Sequence, residues 1–280
     1  MTGLRYHMIR LALEGIAGLG LDRALAPRTR GRGVILTFHH VRPDALSRLP
    51  ENAGLSITPD FLEAVILLLS RLDYEILPLD ALADGLAAPA SARPVAVLTF
   101  DDGYRDNRDF ALPVLRHHGV PFTLFACPGF AERTAPLWWL DLEEAVLRLE
   151  RVRIELPGGD FEARATDPAS KFALLRRLYW RLRECDEPTL QAAVIRLARE
   201  AGVDQAARVA TLCMDWDELR DFADEPLATI GAHTLSHPRL AKLGEDEARA
   251  EIAGSRDRIL AELGIDARHF AYPVGDPGSA

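Results

Sequence analysis

The stretch Val95-Ala-Val-Leu-Thr-Phe-Asp-Asp-Gly-Tyr104 runs an apolar strand straight into two adjacent carboxylates and a glycine. It reads as a buried strand whose last turn carries charge, an arrangement that needs a partner for Asp101 and Asp102. On either side, short apolar strands alternate with helical patterns, the signature of β/α units around a parallel sheet. The spacing predicts strands at 34–38, 76–77, 95–100, 122–127, 228–231 and 269–272. Helices are predicted at 59–72, 108–118, 140–148, 169–184, 189–201, 215–223 and 245–263. Thr58 serves as an N-cap with Pro59 just inside the first of these. The 87–94 stretch is a loop.

From about 129 to 214 the rhythm breaks into a mostly helical insertion with one hairpin, 152–156 turning through Pro157-Gly158-Gly159-Asp160 into 161–165. The expected organisation is an N-terminal amphipathic helix over 1–30, then one catalytic domain over 31–280 containing the insertion. The N-terminal helix is expected either to pack on the domain or to rest on a membrane surface, with packing favoured. No transmembrane segment and no well-shaped secretory signal are read, so the expected location is cytoplasmic or peripheral to a membrane.

At 280 residues, 48% hydrophobic and 27% charged, the chain has ample material for a core. A net charge of −9 argues against a nucleic-acid partner, which needs a clustered basic surface. Cys127, Cys185 and Cys213 are odd in number and widely spaced, so they read as buried fillers rather than disulfides or a thiolate metal site.

In parallel β/α folds, functional groups gather at the carboxyl ends of the strands. Four such ends carry polar groups: Phe38-His39-His40, Phe100-Asp101-Asp102-Gly103, Ile230-Gly231-Ala232-His233 and Ala271-Tyr272-Pro273. The run His233-Thr-Leu-Ser-His237-Pro238 spaces two imidazoles four residues apart, which on a helical turn lets both reach one ion. With a carboxylate from another strand end they form a three-ligand site with open positions, suited to zinc and accessible to cobalt, nickel or iron. One aspartate then binds the ion while its neighbour serves as a base.

Thr99-Phe-Asp-Asp-Gly103 together with His233-Thr-Leu-Ser-His-Pro238 resembles the first two motifs of the polysaccharide deacetylases, the carbohydrate esterase family 4 or nodulation-protein-B-like group. Phe270-Ala-Tyr-Pro-Val-Gly275 resembles a variant of the third. The resemblance implies a deformed (β/α) barrel that removes acetyl groups from N-acetylated sugars such as N-acetylglucosamine oligomers and polymers. It implies Asp101 as catalytic base, Asp102, His233 and His237 as ligands of a divalent ion that activates water, and the backbone N–H of Tyr272 as oxyanion donor.

The chain departs from the family in ending at Ala280, five residues after Gly275, whereas family barrels usually continue and often supply a histidine that protonates the leaving amine. Either the sequence is a fragment and the barrel has an incomplete C-terminus, or the barrel closes differently and another group donates the proton. His39 and His40 are the histidines expected near the rim, with at least one lining the pocket. Arg105 is a candidate partner for Asp101, and the pair Trp138-Trp139, Trp138 above all, a candidate platform for sugar rings as well as core. His117 and His118 are expected to cap a helix or face water. Two competing readings remain: a phosphoryl-transfer enzyme using the aspartates with magnesium, and a catalytically impaired carbohydrate-binding or scaffolding member of the family.

Overall fold

The computed structural model describes residues 3–44, 50–89, 93–276 and 278–279. Residues 1–2 of the expected N-terminal helix and 90–92 of the expected loop lie outside them. Helices α1 (Gly3–Gly18) and α2 (Leu21–Thr29) lead into strands β1 (Gly33–Phe38) and β2 (His40–Val41), α3 (Pro50–Ala53) and β3 (Ser56–Ile57). Then come α4 (Pro59–Arg71), β4 (Glu75–Ile76), α5 (Leu82–Ala87), β5 (Val95–Phe100), α6 (Leu112–His118) and β6 (Phe122–Ala126). The inserted region holds α7 (Pro128–Ala131), α8 (Trp138–Arg148), the hairpin β7 (Arg151–Ile154) and β8 (Phe161–Arg164), α9 (Pro168–Arg183), α10 (Glu187–Glu200) and α11 (Gln205–Leu212). Finally α12 (Trp216–Ala223), β9 (Ala228–Ala232) and α13 (Glu245–Leu263) return to the sheet.

β5 is the hub. It pairs in parallel with β1 along one side, and on the other with β4 at its start and β6 at its end. β6 in turn pairs with β9, also in parallel. Every residue of β5 is buried, which explains a strand with no polar alternation. The segment predicted as a sixth strand, 269–272, adds a single parallel bridge between Ala232 and Phe270. The result is an α/β fold of the deformed (β/α) barrel type, its curved sheet running from β1 to the Phe270 segment without closing among the described residues.

Two cores hold this together. One lies against the sheet and includes Leu62, Leu98, Phe100, Leu115, Phe122 and Leu124. The other is built by the inserted helices, with Leu142, Val146, Leu175, Leu178, Leu190 and Val194 at its centre. Each such buried side chain contributes about 1.5–3 kcal/mol over an exposed one. The three cysteines are buried and free.

The N-terminal expectation needs correction. Instead of one helix packed on the domain there are two, broken at Gly20 with φ 67°, and their large apolar side chains face solvent. No helix among the described residues is long and apolar enough to cross a membrane.

Candidate active site

The Asp101 N–H donates to the Phe38 carbonyl at 2.9 Å and so extends the β5–β1 ladder by one residue. The chain then breaks sharply, with Asp102 and Gly103 both in the left-handed region at φ 73° and 70°. That conformation suits glycine and is strained for aspartate. It separates the neighbouring carboxylates: Asp102 faces His233 and His237, while Asp101 stands with Oδ2 3.9 Å from His39 Nε2.

The two imidazoles are not on a helical turn, contrary to what their spacing predicts. The loop after β9 is irregular, with Thr234 and His237 both at φ 62°. It is pinned from within by Thr234 Oγ1, which accepts the His237 N–H at 3.0 Å. From outside, the Gly129 N–H donates to the Leu235 carbonyl at 2.7 Å.

His233 Nδ1 lies 3.0 Å from the Ala271 carbonyl, which can only accept, so this nitrogen carries the proton and Nε2 of the neutral ring presents its lone pair. That lone pair faces Asp102 Oδ1 at 3.4 Å, and His237 Nε2 faces the same oxygen at 3.2 Å. Three electron-rich atoms at this separation need a positive charge between them. Both distances are close to the edge of a tetrahedron with metal–ligand bonds of about 2.0–2.1 Å, and the three ligand atoms lie within 4.8 Å of one another. Both Asp102 oxygens and His233 Nε2 are buried and without a hydrogen-bond partner. The donor set of Asp102, His233 and His237 thus fits a zinc-like divalent ion.

Burial pushes Asp102 up, but the His237 and His233 imidazoles, when protonated, more than offset it and hold the carboxyl well below its ordinary value. Burial of Asp101 wins instead: His233 and His39 oppose it, yet this carboxyl stays above its ordinary value. The two aspartates therefore part company in basicity, with the ligand-facing one firmly ionised and its neighbour the stronger base.

Asp101, Asp102 and His237 line a cavity of about 710 Å³ together with His39, Trp138 and Tyr272, while His233 is fully buried behind them. Trp138 stacks on Tyr179 with ring centroids 5.4 Å apart while itself only 4% exposed, so it is both core and cavity wall. Arg105 and His40 are placed elsewhere. Arg105 grips Glu218 at 2.7 Å and the carbonyls of Ala210 and Thr211, because a bidentate carboxylate and two acceptors outcompete Asp101 on the far side of the turn. His40 is buried beneath the site, its Nδ1 2.7 Å from Asp106 Oδ2 and its ring stacked on Tyr104.

Several lining residues were not singled out in the sequence. Tyr179 comes from the middle of α9, and His269 reaches the cavity while bonded to Asp80 at 2.8 Å. Trp139, read from the sequence together with Trp138, has its ring 4.8 Å from that of His237. His118 pairs with Glu63 at 3.0 Å on the surface, tying α6 to α4.

A family model described as polysaccharide deacetylase matches residues 89–279. A comparison with the curated proteins gives no match. Among solved structures, the chain is similar to the Streptococcus pyogenes deacetylase PplD in complex with acetate, at TM-score 0.50 and 15% identity over 88% of this chain and 76% of that one. It is also similar to IcaB from Ammonifex degensii, at TM-score 0.50 and 18% identity over 89% of this chain and 78% of that one. At these identities the likeness speaks to the fold. The family match covers the span that contains Asp101, Asp102, both ligand-spaced histidines and Tyr272, and the chain accordingly belongs to the polysaccharide deacetylase family, hydrolases that cleave the C–N bond of N-acetyl groups.

Proposed function

We propose that this protein is a metal-dependent deacetylase of N-acetylated amino-sugar oligomers or polymers, with Asp102, His233 and His237 as the metal ligands and Asp101 as the catalytic base. The observation that carries the reading is the convergence of three buried ligand atoms on one point beside a second, more basic carboxylate. When bound there, a zinc-like ion supplies Lewis acidity and makes water nucleophilic near neutral pH.

The chain's own residues do the rest. Asp101 is the proton acceptor for the attacking water, set apart from the ligand carboxylate by the left-handed turn at Asp102 and Gly103. Ala271 fixes the His233 tautomer through its carbonyl. The Tyr272 N–H is the proposed donor to the developing oxyanion. Trp138, Tyr179 and the half-exposed Tyr272 ring give the cavity aromatic surfaces against which sugar rings pack. His39, 3.9 Å from Asp101, also lines the cavity.

The test is acetate release from N-acetylglucosamine oligomers of increasing length, with and without chelator. Metal-loaded wild type is expected to release acetate, chelation to stop it, and Asp101→Asn to lower the rate by about 10²–10⁴-fold while retaining the metal. Oligomer binding with no acetate released by the metal-loaded wild type would favour the binding or scaffolding reading instead.

A further inference from the structure

Among the described residues, the helical pair at the N-terminal end has no role in the site and no cover. Met8, Ile9, Leu11, Leu13 and Ile16 of α1 and Leu19 of the break are each between 41% and 77% exposed. Monomeric surfaces scatter such residues singly; a cluster marks an interaction surface. At 3.6 residues per turn, the apolar side chains of α1 span roughly 200° of its circumference. The opposite side holds Arg10, whose guanidinium pairs with Glu14 at 2.7 Å. An apolar arc this wide exceeds the narrow seam one partner helix covers, whereas a lipid phase accepts any width.

Charge selects the partner. The chain carries −9 overall, yet residues 1–32 hold six arginines (5, 10, 23, 28, 30 and 32) against Glu14 and Asp22, a net of +4 that leaves −13 on the remainder. Two such basic segments repel each other, so a second copy pairing through them is disfavoured. A negatively charged bilayer attracts them.

We infer that α1 and α2 form an interfacial anchor that lays the exposed apolar side of α1 into a bilayer containing anionic phospholipid, drawn there by the net positive charge of the segment. This surface stands independently of the reading of the active site. Apolar burial and headgroup attraction act together, which is the condition for reversible peripheral binding.

The experiment is co-sedimentation of the full chain with extruded vesicles of phosphatidylcholine, alone or with about 30 mol % phosphatidylglycerol, where basic residues near the surface add to the binding. Binding is expected to be at least about tenfold stronger on the anionic vesicles and to fall in roughly 0.5 M salt, where screening is strong. Leu11→Glu/Ile16→Glu is expected to leave the chain in the supernatant, with circular dichroism and acetate release unchanged. Wild type that stays in solution with anionic vesicles overturns the inference, as does sedimentation that the double variant retains or binding equal on neutral vesicles. A doubled solution mass without vesicle binding, returned to one chain by the same variant, overturns it in favour of an interface between copies.

Discussion

Asp102 is the residue on which the site turns, because it combines a strained backbone with a buried charge. Asparagine tolerates φ 73° as well as aspartate does and keeps the shape. Asp102→Asn therefore isolates the charge. Without metal, its thermal stability is expected to fall below wild type at neutral pH, since the carboxylate that His237 and His233 hold down is gone. With free zinc at about a hundred times the dissociation constant, wild type gains about 2.7 kcal/mol, while the variant shows little rise; thermal melts with and without metal read both. Glu218 is a second residue with a definite expectation. It accepts from Arg105 and Arg108 at 2.7 Å and caps α12 by accepting the Asp215 N–H. Its hydrogen bond with Arg105, above all, holds it down to about 2 from the usual 4.5, burial opposing. A depressed carboxyl stabilises the fold above its unfolded pKa and loses that contribution as pH falls from about 4.5 to about 2. Glu218→Gln is expected to cost about 1–3 kcal/mol at pH 7, the gap to wild type closing toward pH 2 in urea titrations.

At the scale of elements, the His233 loop depends on a contact from the start of the inserted region. A Cβ placed on Gly129 would stand 2.6 Å from the Leu235 carbonyl oxygen, a backbone atom that cannot step aside. Gly129→Ala is expected to push the loop between the two histidines and weaken metal binding by about tenfold or more, at a cost of about 1–3 kcal/mol in stability; competition with a chromophoric chelator measures the first and denaturation the second. This dependence also marks the boundary of what the letters convey. Strands whose burial demands apolar side chains were readable to within a residue or two, as β5 and β9 show, and so was α13 between its acidic first turn and Gly264. The four-residue histidine spacing was readable as a ligand pair but not as an irregular loop, since two non-glycine residues at φ 62° leave no local signal. Arg105 was misplaced because its choice of Glu218 over Asp101 is settled by the far-off start of α12. The N-terminal apolar run gave helix correctly, yet whether an apolar face finds a partner is a tertiary fact that periodicity does not contain.

At the scale of the molecule, the inserted helices and the barrel are joined beside the site through a buried ion pair. Arg239, two residues beyond His237, is 1% exposed and is held by the Glu187 carboxylate of α10, which also accepts its backbone N–H at 3.1 Å. The rest of the guanidinium donates to the Arg183 and Cys185 carbonyls at 2.5 and 3.0 Å. All of the charge on Arg239 is thus matched by one carboxylate and two main-chain oxygens, none of them reachable by water in quantity. Removing Glu187 leaves the guanidinium buried without its counter-charge, and such a loss costs about 3–5 kcal/mol. Because the main chain of Arg239 loses its acceptor at the same time, the disturbance reaches the His237 end of the ligand loop. Glu187→Ala is therefore expected to lower the unfolding midpoint and metal affinity together, whereas Glu187→Leu/Arg239→Met, which removes both charges, recovers much of the stability. A double variant no more stable than Glu187→Ala would show that the pair acts through its hydrogen bonds to the loop rather than through the buried charge.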